Sequence, residues 1–131
     1  MILSIKFQGG LLWATVSGRV SVADVANMYT MVCQVALQNG MERILIDASK
    51  ADGHLSLMDR YQLGRAVVEY CTTKPVTLRI ATVGKAPLVD GFGAVVASNR
   101  NVSAAAFSDA TNAVKWLNRF ARSLSSSASG T

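Results

Sequence analysis

Hydrophobic and polar residues alternate with a period of two at the start of the chain. Apolar residues occupy the odd positions of segment 3–7, a pattern that predicts a half-buried strand. Gly9-Gly10, which follows, is typical of a two-residue hairpin turn. Apolar residues resume in segment 11–16. The sequence therefore predicts that the first two strands are antiparallel neighbours.

Helical spacing of apolar residues recurs further along the chain, together with helix start and stop signals. Ser21 and Ser56 each precede an aspartate by three positions, the spacing of a capping box that satisfies free backbone N–H groups. Ser108 is placed to cap the last helix. Gly40 and Pro75 end the first two helices, because glycine accepts positive φ and proline cannot continue a helix.

The strands predicted after the hairpin are short apolar runs flanked by turn residues: 43–47, 78–83 and 102–107. A loop is predicted over 48–55. Leu88–Asn99 predicts a third helix, although Gly91 and Gly93 lower its helix propensity.

The predicted order is β-β-α-β-α-β-α-β-α, an α/β fold. A hairpin followed by right-handed crossovers gives a mixed sheet of about five strands. Because few sheet positions are apolar on both sides, we expect the helices mainly on one face. From Ser123 the chain contains Ser, Ala and Gly without a hydrophobic pattern. We therefore expect a domain over 1–122 and a disordered tail over 123–131.

The composition suits a single domain with a substantial core, since half of the 131 residues are hydrophobic. No apolar run approaches the ~20 residues of a membrane span, so no integral membrane segment is predicted. The N-terminus lacks the features of a signal peptide, and we expect a cytoplasmic protein. Cys33 and Cys71 fall in helical patterns and are expected to be buried free thiols. With one histidine and no C-x-x-C spacing, no metal or other cofactor is predicted.

The formal net charge of +5 is spread along the chain. Lys115, Arg119 and Arg122 form the one local concentration, on the last helix. Cations there complement the helix dipole, or they form an anion-binding face. No basic run interleaved with aromatic residues occurs, so no nucleic-acid partner is predicted.

The order of elements resembles the STAS domain, the fold of bacterial anti-sigma-factor antagonists, and more closely the bacterial STAS/SEC14-type family. The segments that carry the resemblance cover nearly all of 1–122: Val16–Ser21, Ile44–Asp47, Leu55–Gly64, Ile80–Gly84, Leu88–Gly93, Asn99-Arg100, Phe107 and Ala113–Leu117.

The resemblance implies a bacterial regulatory module and directs attention to one serine. Anti-sigma-factor antagonists are switched by phosphorylation of a serine in an Asp-Ser-Ser-Gly type of motif, at the start of the helix after the third strand. Segment 53–59 occupies that position here, and Ser56 lies near the expected serine, but the motif is absent. Ser56 is therefore expected to be a helix cap, with phosphorylation as the alternative.

Polar side chains with candidate chemistry follow the buried third strand: Asp47, Ser49, Asp52, His54 and Ser56. Ligands of open α/β sheets bind at the carboxyl ends of strands, which makes this group a candidate binding or regulatory site. The alternative is local turn chemistry, because Asp and Ser side chains bond their own backbone at strand ends.

Gly91, Phe92 and Gly93 hint at a phosphate-binding loop but lack its third glycine. We expect close packing there, or a lid over the sheet edge.

The leading hypothesis is a non-enzymatic STAS-like module that contacts a protein partner or a second copy of itself. The alternative is a carrier of a small molecule or lipid, suggested by the family's likeness to lipid-transfer proteins and by the hydrophobic excess. A third hypothesis is an enzyme that uses the Asp47, His54 and Ser56 region, although these residues specify no evident reaction.

Overall fold

The computed structural model describes residues 1–72, 78–85 and 102–129. Its elements are β1 (Ile2–Gln8), β2 (Leu11–Arg19), α1 (Val22–Gln38), β3 (Arg43–Asp52), α2 (Leu57–Thr72), β4 (Leu78–Val83), β5 (Val102–Phe107) and α3 (Ala110–Ser129). The helix expected over Leu88–Asn99 lies outside the described residues.

The strands form a five-stranded mixed sheet in the order β1-β2-β3-β4-β5. The first pair is antiparallel and the others are parallel, as the sequence predicts. Gly9 (φ 61°) and Gly10 (φ 76°) form the hairpin turn. Positive φ at both positions is the requirement of a type I′ turn, which explains the glycine pair.

Strand β3 is longer than its apolar run, and the loop expected over 48–55 is shorter. Polar residues continue the strand to Asp52, which pairs with Arg19 of β2. Between the pairs Thr15↔Asp47 and Ser17↔Lys50, β3 gains one residue over β2, which is a β-bulge. The prediction of a loop from Ala48 is wrong. The small and polar side chains of this segment are typical of a loop, but its backbone N–H and C=O groups pair with β2.

Helices α1 and α2 pack on one face of the sheet. Met28 and Val32 of α1 join Leu12 and Ile44 of the strands in a buried cluster, and Val67 of α2 packs against it. The strands from β2 to β4 step across the sheet in one direction. Crossovers of the same hand therefore place their helices on the same face.

Helix α3 covers the opposite face. Ala113 and Leu117 are fully buried there against Leu45, Ala81 and Val83. Two of the three described helices therefore share one face, in agreement with the expectation that the helices lie mainly on one face, and α3 is the exception. The last helix connects no two strands, so the crossover rule leaves it free to cover the remaining apolar face.

Helix α3 extends to Ser129, into the segment for which the sequence predicts a disordered tail. Each residue added to an existing helix gains one backbone hydrogen bond, which alanine favours and serine opposes only weakly. The domain boundary at residue 122 stays a prediction.

Two further expectations concern the cysteines and the membrane. Cys33 is a buried thiol that is not part of a disulfide, as predicted, whereas the side chain of Cys71 lies outside the described part of the chain. Within the described ranges, none of the helices has the length and hydropathy needed to cross a bilayer.

Candidate functional site

The candidate site lies where β3 passes into α2, a region we call the β3–α2 corner (residues 47–61). The Val20 amide donates a 2.8 Å hydrogen bond to the carbonyl oxygen of Asp52. That bond holds the residue before the α1 cap beside the end of β3. The N-termini of α1 and α2 therefore both lie at the carboxyl edge of the parallel strands, where open α/β sheets bind ligands.

Gly53 makes the close approach at this corner possible. Its φ is +142°, and a Cβ atom would lie 2.6 Å from the carbonyl oxygen of Val20. Only glycine occupies this backbone region without strain, and only glycine leaves space for that oxygen.

Ser56 caps α2, as the S-x-x-D spacing predicts. Its Oγ accepts a 3.0 Å hydrogen bond from the Asp59 amide, and its own amide donates to Asp59 Oδ2 at 3.0 Å. The Arg60 guanidinium donates to the Leu55 carbonyl oxygen at 2.9 Å. These bonds and the burial of Leu55 (4% exposed) fix the start of α2 relative to the core.

Asp47 and Ser49 interact with each other at the bulge of β3. Asp47 Oδ1 accepts from the Ser49 amide at 3.0 Å and from the Ser49 hydroxyl at 2.6 Å. The carboxylate thereby satisfies the backbone where the ladder shifts register. This is the local bonding that the turn-chemistry interpretation describes.

Asp52 and His54 are exposed and lie between these two hydrogen-bonded pairs. Among the described residues, no hydrogen bond joins His54 to the side chain of Asp47 or Ser56. The structure thus places the five predicted residues along one edge without assembling them into a triad. The same ranges contain no group of three or more His, Cys, Asp or Glu side chains that could hold a metal ion. Their binding or regulatory role stays a prediction.

The first turn of α2 presents apolar side chains to solvent, a feature that sequence reasoning missed. Leu57, Met58 and Tyr61, here called the α2 patch, are 58%, 60% and 38% exposed. At about 100° per residue, Met58 and Tyr61 lie on the side of the helix away from Leu63 and Val67, which face α1 and the core, and Leu57 lies between the two sides. The sequence did carry a signal for this patch. Its residues form a second apolar stripe on α2, separate from the stripe that faces the core.

A narrow groove runs between α1 and α2 and is lined in part by Tyr29, Cys33, Leu63 and Tyr70. Its volume is about 50 Å³. Pockets for small molecules have volumes of roughly 300–1,000 Å³, so the groove as described is too small for a lipid. Gly91, Phe92 and Gly93, the predicted lid or packing residues, lie outside the described residues.

Comparison with known proteins finds similarity among solved structures. No protein-family profile matches the chain, and no curated protein matches it. The chain is similar to an uncharacterised protein of the DUF3478 family with a SpoIIAA-like fold from Shewanella loihica PV-4. The two are 24% identical over 88% of this chain and 92% of that one, with a TM-score of 0.50. At this identity the likeness establishes the fold alone, which is the SpoIIAA-like, or STAS, fold that the sequence predicts.

Proposed function

We propose that the chain is a non-enzymatic STAS-like module that binds a protein partner through the α2 patch. The observation that carries the proposal is the exposure of Leu57, Met58 and Tyr61 on one helical turn. Large apolar side chains grouped at one place on a surface mark interaction sites, and methionine and tyrosine are both enriched in protein interfaces.

The corner offers a rigid support for such a contact. Gly53, the Ser56–Asp59 cap and the bond from Arg60 to Leu55 hold the first turn of α2 in one position. A partner therefore meets a preorganised surface and loses little binding free energy to ordering it. The patch also adjoins Ser56, which lies near the position of the serine that is phosphorylated in the anti-sigma-factor antagonists that this chain resembles.

The other two hypotheses receive less support from the geometry. Nucleophilic catalysis by Ser56 needs a base such as His54 within hydrogen-bond reach of its hydroxyl group. Here Ser56 bonds Asp59 and Asp47 bonds Ser49, and among the described residues no hydrogen bond joins His54 to either pair. The carrier hypothesis rests on the family's likeness to lipid-transfer proteins, on the hydrophobic excess and on the glycine-containing segment Leu88–Asn99, which lies outside the described residues. The groove between α1 and α2 does not provide the volume that a lipid needs.

The test begins with a photo-crosslinking residue at position 57, compared with one at Met31, an apolar position on α1 that is 50% exposed. A protein captured in source-cell extract only from position 57 is identified, purified and titrated against wild type, Met58→Lys and Met31→Lys. We expect Met58→Lys to weaken binding at least about tenfold and Met31→Lys to leave it unchanged. Equal affinities for the two variants would contradict the proposal. Native mass spectrometry of wild type checks the carrier alternative, which gains support if a small molecule is retained.

A further inference from the structure

Strand β1 ends the sheet among the strands that the structure describes. Two of its large apolar side chains are exposed: Ile2 by 69% and Phe7 by 48%. Edge strands of native proteins are ordinarily protected by charge, proline or a covering element, because an open edge pairs with other strands. Lys6 is the one charged residue in this strand, and its ammonium group lies 5.3 Å from the ring centre of Trp13.

The hairpin determines which backbone groups of β1 point away from the sheet. Gln8 and Leu11 flank the two-residue turn and form its closing pair, which is hydrogen-bonded in such hairpins. Bonded and non-bonded pairs alternate along an antiparallel ladder. The even residues of β1 therefore bond β2, and the N–H and C=O groups of Leu3, Ile5 and Phe7 point outward.

We propose that β1 pairs antiparallel with β1 of a second copy of this chain, about a two-fold axis at Ile5, so that two sheets join edge to edge. This register sets Ile5 opposite Ile5 and Leu3 opposite Phe7 of the other copy. Every outward N–H then meets an outward C=O. Leu3 and Ile5 pack against the buried cluster that contains Leu12 and Ile44. In the dimer, Leu3 of the other copy lies opposite Phe7, which extends this apolar cluster across the axis.

Charge and length both select this register over its neighbours. An axis at Lys6 places two lysines directly opposite each other, which is unfavourable. An axis at Ser4 leaves Phe7 opposite Met1, which lies outside the strand, and shortens the ladder. With the axis at Ile5, all seven residues of β1 are paired and Lys6 lies opposite Ser4.

The size of the contact predicts a reversible dimer. Seven residues at ~3.4 Å each give an edge about 24 Å long. Such an edge buries about a few hundred Å² per copy, less than the roughly 800 Å² per partner of a stable interface. We therefore expect dissociation in the micromolar range or weaker. This surface is separate from the α2 patch, so the dimer and partner binding are tested by different variants.

Sedimentation velocity over a wide concentration range, up to about millimolar, tests the dimer with wild type, Phe7→Lys and Met31→Lys. Both variants replace an exposed apolar residue with lysine, and only the first lies on the β1 edge. We expect wild type and Met31→Lys to dimerise as concentration rises and Phe7→Lys to remain monomeric with an unchanged circular dichroism spectrum. A wild type that stays monomeric throughout overturns the proposal, as does a Phe7→Lys variant that dimerises like wild type.

Amide hydrogen exchange of wild type tests the register independently of any variant. We expect the amides of Leu3, Ile5 and Phe7 to exchange rapidly in dilute solution and slowly in concentrated solution. The amides of Ser4, Lys6 and Gln8 should be protected at both concentrations because they bond β2. If dimerisation protects another segment and leaves the odd residues of β1 unchanged, the β1 interface is wrong.

Discussion

Tyr29 on α1 and Thr82 on β4 share a hydrogen bond, with 3.0 Å between their hydroxyl oxygens. The bond ties the first helix, whose Tyr29 lines the groove, to the parallel part of the sheet. Part of the Tyr29 side chain is open to the groove, but burial of the group raises its pKa above the ordinary 10.0, and the smaller effect of the bond to Thr82 opposes this.

Replacing this tyrosine should weaken the fold and change its response to alkali. Tyr29→Phe removes the bond and is expected to lower the free energy of unfolding by about 1 kcal/mol near neutral pH. Because the folded pKa is raised, the folded state holds the phenolic proton more tightly than the unfolded chain does. The stability from this group is complete below about pH 10 and is lost as pH rises through the folded pKa.

Urea denaturation of wild type and Tyr29→Phe from neutral pH to about pH 11 checks both effects. The stability difference between them should be constant at lower pH and should shrink above about pH 10. A difference that stays constant over the whole range would show that Tyr29 is not buried as described. Thr82→Val, with the double variant, measures the coupling between the two hydroxyl groups.

Features set by neighbouring residues were predictable from sequence, whereas features set by distant packing were not. The Ser21–Asp24 and Ser56–Asp59 capping boxes form as their spacing predicts, with bonds of 3.0–3.1 Å. The end of β3 was missed because polar residues such as Lys50 are held in the strand by β2, which is distant in sequence.

The position of α3, and whether the second apolar stripe of α2 stays exposed, were also outside the reach of the sequence. Both depend on which face of each helix packs against the rest of the fold. Leu45 lies between Ile44 and Ile46 in a continuous apolar run, and only the complete sheet shows that α3 covers it. The candidate corner residues were located correctly along the chain, but their contacts depend on the bulge and on Gly53.

A substitution at Gly53 should be far more harmful than one at Gly18. Both have positive φ, but a Cβ atom at Gly53 meets the Val20 carbonyl oxygen, whereas one at Gly18 has no neighbour within 4 Å. We expect Gly53→Ala to cost about 3 kcal/mol and Gly18→Ala about 1 kcal/mol. Chemical denaturation measures both, and similar costs would show that the approach of Val20 to the corner is looser than described.

The attachment of α3 to the second face of the sheet can be measured through Leu117. Its side chain is fully buried against Leu45 and its neighbours, whereas Lys115 on the same helix is exposed. Leu117→Ala is expected to cost about 2–5 kcal/mol and Lys115→Ala less than about 0.5 kcal/mol. Comparable small losses in thermal or urea unfolding would mean that α3 does not complete the core.

Ser56 allows the structural and the binding roles of the corner to be separated. Ser56→Ala removes the acceptor of the Asp59 amide and should cost about 1 kcal/mol. Ser56→Asp keeps an acceptor at the cap and places negative charge at the positive end of the α2 dipole, so its stability should stay close to that of wild type. Denaturation curves of wild type, Ser56→Ala and Ser56→Asp measure these differences in stability.

The same variants then report on the partner identified by crosslinking at position 57. Ser56 directly precedes Leu57 and Met58, so an added charge there alters the rim of the α2 patch while the helix start is preserved. We expect Ser56→Asp to change the affinity several-fold and Ser56→Ala to change it little once folding is complete. If Ser56→Asp binds with wild-type affinity although Met58→Lys does not, the partner contacts the patch from the side away from the cap, and Ser56 acts only as the helix cap that its hydrogen bonds describe.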